Sequence, residues 1–291
     1  MTKRKVKSGR KSPKARHSDA PMPDFRSLEK IFAGFGGGAP SDGLLDQAQA
    51  LIYQAWDIPN PAKRIALAKQ ALSICEDCAD AYLLLAEEQA HTLEQVLDLY
   101  GRATTAGERA ISDDTRENGV GHYWGLHETR PYMRARLQLA LNLWEFGDRS
   151  MAIEHARELL RLNPMDNQGV RHILLGWWLA TGNLPQAQAL WKAYEDDGMA
   201  CWVWSKALMA YIEHGPGKKA NACLEAAIDA NPHIPPLLLR REPLPMEQPE
   251  YVGLGDPAEA AAYVISYLEV WQQTDGALRW LSKSIPAESD R

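Results

Sequence analysis

The chain has 291 residues, 45% of them apolar, and a formal net charge of -6. That length supplies one long array or two ordinary domains with a sizeable core. No apolar run approaches the roughly 20 residues of a membrane-spanning helix; the longest candidate, Ile173 to Ala180, reads as a buried helix. Charge is uneven: residues 1–17 hold eight Lys and Arg and no acid, so the remainder carries -14, which disfavours phosphate binding by the body.

Residues 1–24 are rich in Lys, Arg, Ser and Pro and read as a disordered basic tail. The tail is the only place assigned to nucleic acid, and with no aromatic residue for stacking, such contact is expected to be nonspecific and salt-sensitive. Phe25, Leu28, Ile31, Phe32 and Phe35 form a helical stripe, expected to dock on the body. Gly36 to Gly38 and Pro40 then break the chain, and Ser41 or Asp42 is expected to cap the next helix. Residues 1–40 are thus read as a tail with a short docking helix. The start lacks an apolar signal region, and with four cysteines in 291 residues the reading is a reduced, cytoplasmic protein.

From Leu44 the pattern is helical almost throughout. Leu44–Trp56 and Pro61–Ile74 are predicted as one antiparallel pair, and Ala81–Leu97 with Tyr100–Ile111 as a second. In the latter, Ala103, Gly107 and Ala110 predict a close helix approach. Beyond residue 130 the texture repeats. Gly147 and Ala152 recur as Gly182 and Ala187, then as Gly215 and Ala220, at spacings near 34 residues, and Asn163-Pro164 recurs as Asn231-Pro232. Glycine turns the chain, alanine admits the second helix, and proline ends it. The best repeats are 133–166, 168–200 and 201–234, within an array over 41–235. Seven of the 18 prolines fall between 232 and 257, predicting an extended loop. Asp256-Pro257-Ala258-Glu259 then starts a helix running to about Gln273, and Thr274 is expected to cap a last helix with Leu278, Trp280 and Leu281. Residues 236–291 are therefore read as loop and capping helices. The fold class is all-α: a tetratricopeptide-like α-α superhelix.

Three segments carry a resemblance: Gly121 to Arg136 (GHYWGLHETRPYMRAR), Arg161 to Arg171 (RLNPMDNQGVR) and Asn231 to Pro235. Together with the repeats, residues 121–291 resemble tetratricopeptide proteins of the suppressor-of-tumorigenicity-seven type and their bacterial relatives. The resemblance implies a helical repeat protein with no catalytic roles to carry over.

Chemistry is sparse. Cys75-x-x-Cys78 lacks a second ligand pair for zinc, and Cys201 and Cys223 stand alone, so all four read as structural thiols. His122, Trp124, Glu128 and Arg130, with His127, form the densest polar-aromatic cluster. The two histidines are five apart, not the four that shares a helix face. The cluster reads as an insertion folded against the array, with Glu128 and Arg130 paired to neighbours such as Arg134 or Arg171. The alternative is a metal-dependent or hydrolytic site with Glu128 as base. No cofactor or metal is expected.

The natural binding surface is the inner groove, lined by the first helix of each pair. Counting from the glycines places Arg134, Leu137 and Leu141, then His172 and Gly176, then Trp202, Ser205 and Met209 in it. That mixture suits an extended peptide or partner helix. The competing reading fills the groove with the protein's own Pro-rich loop or N-terminal helix. The favoured function is a noncatalytic scaffold or adaptor for a protein or peptide partner; the alternatives are an enzyme at His122–Arg130 and a nucleic-acid adaptor through residues 1–17.

Overall fold

The computed structural model describes residues 43–245, 249 and 251–285. The basic tail, the Phe25–Phe35 stripe and the Ser41 or Asp42 cap lie outside the described residues. Among those described, all regular structure is helical. The first pair is α1 (Leu44–Trp56) and α2 (Pro61–Ile74), matching the sequence pattern. Asn60 starts α2 by accepting the Lys63 N–H at 3.0 Å, with Pro61 at the first helical position.

The second pair departs from the expected boundaries. It is α3 (Ala79–Gln89) and α4 (Leu93–Ala110), with the break at residues 90–92 instead of 98–99. The cause is local. The Thr92 hydroxyl accepts the Gln95 N–H at 3.3 Å, and the Gln95 side chain accepts the His91 N–H at 2.8 Å. This Thr-x-x-Gln signal resembles a capping box and starts a helix wherever its neighbours allow. Then follow α5 (Asp113–Asn118), single 3-10 turns at Tyr123–Gly125 and His127–Thr129, and α6 (Arg130–Phe146). The predicted close approach holds α4 against α6: a Cβ on Gly107 would lie 2.8 Å from the Tyr132 Cα.

The remaining pairs are α6 with α7 (Arg149–Leu162), α8 (Val170–Ala180) with α9 (Leu184–Ala193), and α10 (Ala200–His214) with α11 (Lys218–Ala230). Gly147, Gly182 and Gly215 have φ of 98°, 70° and 68°, left-handed values that favour glycine at these turns. Ala152, Ala187 and Ala220 are fully buried where second helix meets first. The Pro-rich segment is not wholly an extended loop. Ile234–Leu238 forms α12 and buries Ile234, Pro235, Leu237 and Leu238.

The chain then returns through α13 (Pro257–Gln273) and ends its described helices with α14 (Ala277–Ser284). Asp256 caps α13 as predicted, accepting the Glu259 N–H at 2.7 Å. Thr274 does not cap α14; its hydroxyl donates back to the Val270 carbonyl at 2.8 Å, and Gly276 at φ 74° makes the turn. Helix α13 packs across α8 and α10. Its Tyr263, Tyr267 and Trp271 join Trp204, Tyr211 and Trp280 in a run of ring contacts with centroids 4.6–6.4 Å apart. Edge-on and offset ring pairs of this kind add about 1 kcal/mol each beyond their burial.

One carboxylate fixes this helix. Helix α10 has no side-chain cap of its own, and the buried Glu259 accepts the Ala200 N–H at 2.8 Å from 59 residues away. The other oxygen accepts the Asn231 amide at 2.9 Å and the Gly255 N–H at 2.8 Å. Replacing Glu259 with Ala strands these buried donors, at a cost of about 3 kcal/mol. Glu259→Ala is expected to lower the urea midpoint and to speed amide exchange in α13 and α14, while α1 to α4 keep their protection.

Candidate partner-binding groove

At the N-terminal end of the expected groove, one polar ladder crosses the first helices of three successive pairs, α1, α3 and α6. Arg134 on α6 donates to both oxygens of Asp80 on α3, at 2.6 and 3.2 Å, and Gln49 on α1 donates to the same carboxylate at 2.8 Å. Asp80 is fully buried and Arg134 is 11% exposed on its side chain, so the pair sits where losing one partner leaves a costly charge. The guanidinium also lies 5.9 Å from the Trp56 ring centroid. This fork explains why an acid stands in the apolar helix α3: it ties α1, α3 and α6 into one surface. Leu141 follows Arg134 two turns along α6 and is half-buried.

At the C-terminal end the expectation of an open groove is corrected. There α13 packs across α8 and α10. Gly176 has no side chain, so the Tyr267 ring lies against it; a Cβ there would come 3.3 Å from the ring. The Tyr267 hydroxyl donates to the His172 carbonyl at 2.5 Å. Ser205 is fully buried beside Tyr263 and Tyr267. Met209 and Leu137 are buried in the same continuous core. Trp202 is also fully buried. Its ring meets His172 and Tyr194 edge-on, and its indole N–H donates to the Trp191 carbonyl at 3.3 Å while Trp191 returns the bond at 3.1 Å. Small residues on α8 and α10 mark the place where another helix fits, a signal sequence counting misassigned to a ligand.

A second ladder runs along the N-terminal ends of α8 and α10. Asp166, at φ 51°, caps α8 by accepting the Val170 and Arg171 N–H groups at 2.7 and 2.9 Å. The Arg171 guanidinium bridges Asp166 at 3.1 Å and Asp197 at 2.7 Å, and His172 Nε2 lies 2.7 Å from the same Asp197 oxygen. Burial works against charge on Asp197, but the bonds from His172, the Met199 N–H and Arg171 outweigh it and hold its carboxyl well below the usual range.

The 122–130 cluster is placed differently from the expected pairing. His122, His127 and Glu128 are exposed, and Trp124 is buried. Glu128 accepts hydroxyl bonds from Ser112, at 3.1 Å, and from Thr115, so it fastens α5 to the turn and does not pair with Arg134 or Arg171. Arg130 donates to the Trp124 carbonyl at 2.9 Å and lies over its ring. These contacts stay within the segment, because the 3-10 turns fold the chain back on itself. Among the described residues, no group of three or more His, Cys, Asp or Glu is arranged to hold a metal. Cys78 is buried, with its thiol pushed up to about 12 by burial and by Asp80. Burial likewise raises Cys201. No helix among the described residues is long and apolar enough to cross a membrane.

Paired helices, glycine turns at a period near 34 and a shared inner face define a tetratricopeptide-type helical repeat protein. Within that class, residues 41–201 match the family described as ST7 protein, and the chain belongs to this family. It is 28% identical over 260 residues to a human protein called suppressor of tumorigenicity 7 protein-like, covering 82% of this chain and 45% of that one. A Drosophila pseudoobscura ST7 homolog is 26% identical over 254 residues, covering 79% of this chain and 47% of its own length. The chain thus spans about half the length of the curated relatives it matches. Among solved structures it is similar to YrrB, described as a TPR protein with an unusual peptide-binding site, at 16% identity and a TM-score of 0.46 over 70% of this chain and 92% of that one.

Two outcomes test the geometry. The Asp197 carboxyl is depressed on folding, so its stabilisation is complete above the unfolded value near 4 and is lost as pH falls toward its folded value. In urea titrations, Asp197→Asn is expected to be less stable than wild type by about 3 kcal/mol at pH 7, with the gap closing as pH falls below about 4. Cys78 is expected to resist iodoacetamide in the folded protein at pH 8, since reaction needs the thiolate, and to react on unfolding. Mass spectrometry of the alkylated peptides reads this directly.

Proposed function

We propose that the protein is a noncatalytic scaffold that holds a protein partner on the inner face of α1, α3 and α6. The observation that carries this is the division of the groove. Helix α13 packs across α8 and α10, whereas no such helix is described across α1, α3 and α6, which the buried Gln49–Asp80–Arg134 ladder joins from beneath. Of the groove residues, Arg134 and Leu141 therefore remain the partner contacts, with His172 at the boundary where its ring is held by Asp197. Trp202, Ser205, Met209 and Leu137 support the surface from within. The helical-repeat class and the family agree with a scaffold, since such arrays expose long concave surfaces suited to peptides and helices.

Leu141 is half-buried and packs on the edge of the core, so Leu141→Asp alters the face while most of the core stays in place. Used as bait in a lysate of the source cell, wild type is expected to capture a protein that Leu141→Asp loses by tenfold or more, about 1.4 kcal/mol. Circular dichroism checks that helicity is equal. A partner retained equally by the variant places binding elsewhere. Trp202→Ala is a poor probe, because removing a buried Trp costs about 4 kcal/mol of fold stability.

A further inference from the structure

The surface proposed for the partner has a chemistry that matches another part of this chain. Along α1, Leu45, Tyr53 and Trp56 share the helical face that carries Gln49, and the Arg134 guanidinium of α6 lies 5.9 Å from the Trp56 ring centroid. Tyr53 and Trp56 are half-buried, with ring centroids 5.4 Å apart. The first two helix pairs are acidic: residues 43–110 hold ten Asp and Glu against five Lys and Arg. A strip of leucine and aromatic side chains in an acidic setting selects an amphipathic segment with a basic flank.

The chain holds such a segment. Phe25, Leu28, Ile31, Phe32 and Phe35 recur at helical spacing, and eight Lys and Arg precede them within residues 1–17. Only eight residues separate Phe35 from the start of α1 at Leu44. That tether spans at most about 30 Å, while α1 itself is about 20 Å long, so the whole of α1 lies within reach, and with it the points where Asp80 of α3 and Arg134 of α6 meet Gln49 and Trp56. Tethering also raises the effective concentration into the millimolar range, which lets a weak contact stay made.

We propose that the Phe25–Phe35 segment of this chain docks on the inner face of α1, α3 and α6, with the basic residues before it running along the acidic first two pairs. An outside partner then reaches the groove by displacing a built-in competitor. This rests on the same surface as the partner reading but names its resting occupant, so the two are tested apart.

The experiment places the photo-cross-linking amino acid p-benzoylphenylalanine at position 32 of the full chain. After irradiation, cross-linked peptides are mapped by mass spectrometry at two protein concentrations. Docking gives a concentration-independent cross-link within one chain to residues 44–57, 79–89 or 130–146. Adding Ile31→Asp and Phe35→Asp lowers its yield about tenfold or more, the effect of losing about 1.4 kcal/mol. Cross-links only between chains, only to other helices, or none at all overturn the proposal, as does a yield unchanged by the two aspartates. None of these readouts depends on capturing a partner.

Discussion

The C-terminal half of this structure depends on one buried carboxylate that answers three donors at once. Glu259 closes the uncapped end of α10 and the Asn231 amide at once, and by doing so fixes where α13 begins. From that anchor, the helix is led across α8 and α10, where Gly176 and Ser205 leave room for Tyr267 and Tyr263. The ring contacts to Trp204, Trp271 and Trp280 add the apolar burial. Hydrogen bonding sets the position, and hydrophobic area supplies most of the stability.

Polar groups do comparable work at the other end. Asp80 stands fully buried in an apolar helix because Arg134 and Gln49 reach it from two neighbouring helices. A buried pair of this kind contributes specificity of arrangement more dependably than it contributes stability. Asp166 and Asp197 act at the ends of helices, with Arg171 tying two successive loops together. The array is thus registered at three places by carboxylates that also satisfy backbone or guanidinium donors.

Much of the fold was legible from residues because repeats restate the same signal. Gly147, Gly182 and Gly215 each mark a left-handed turn, and each following alanine is buried. The first pair was readable from the apolar pattern that stops at Trp56 and resumes at Pro61; the Asn60 cap came only with the structure. The α3–α4 boundary was misread, although Thr92 and Gln95 carry it, because the apolar pattern runs through the break. The site was less legible. Gly176 and Ser205 are small, and a small residue on an inner face signals either open space or a close neighbour; only the path of α13 decides between them. Glu128 could not be paired from sequence either, since Ser112 and Thr115 are ordinary residues until α5 brings them near. Asp80 was missed outright, its partner lying 54 residues away.

Arrays of paired helices behave as springs, because each unit touches only its neighbours and small rotations add along the length. Helix α13 breaks that rule by bridging two units on their inner side. It acts as a strut in compression: closing the superhelix at α8 and α10 would crush Tyr267 against Gly176. Bending must then concentrate in the first three units, where the inner face carries side-chain forks instead of a helix. The end braced by α13 is consequently the stiff one, a fixed mount against which the first three units flex.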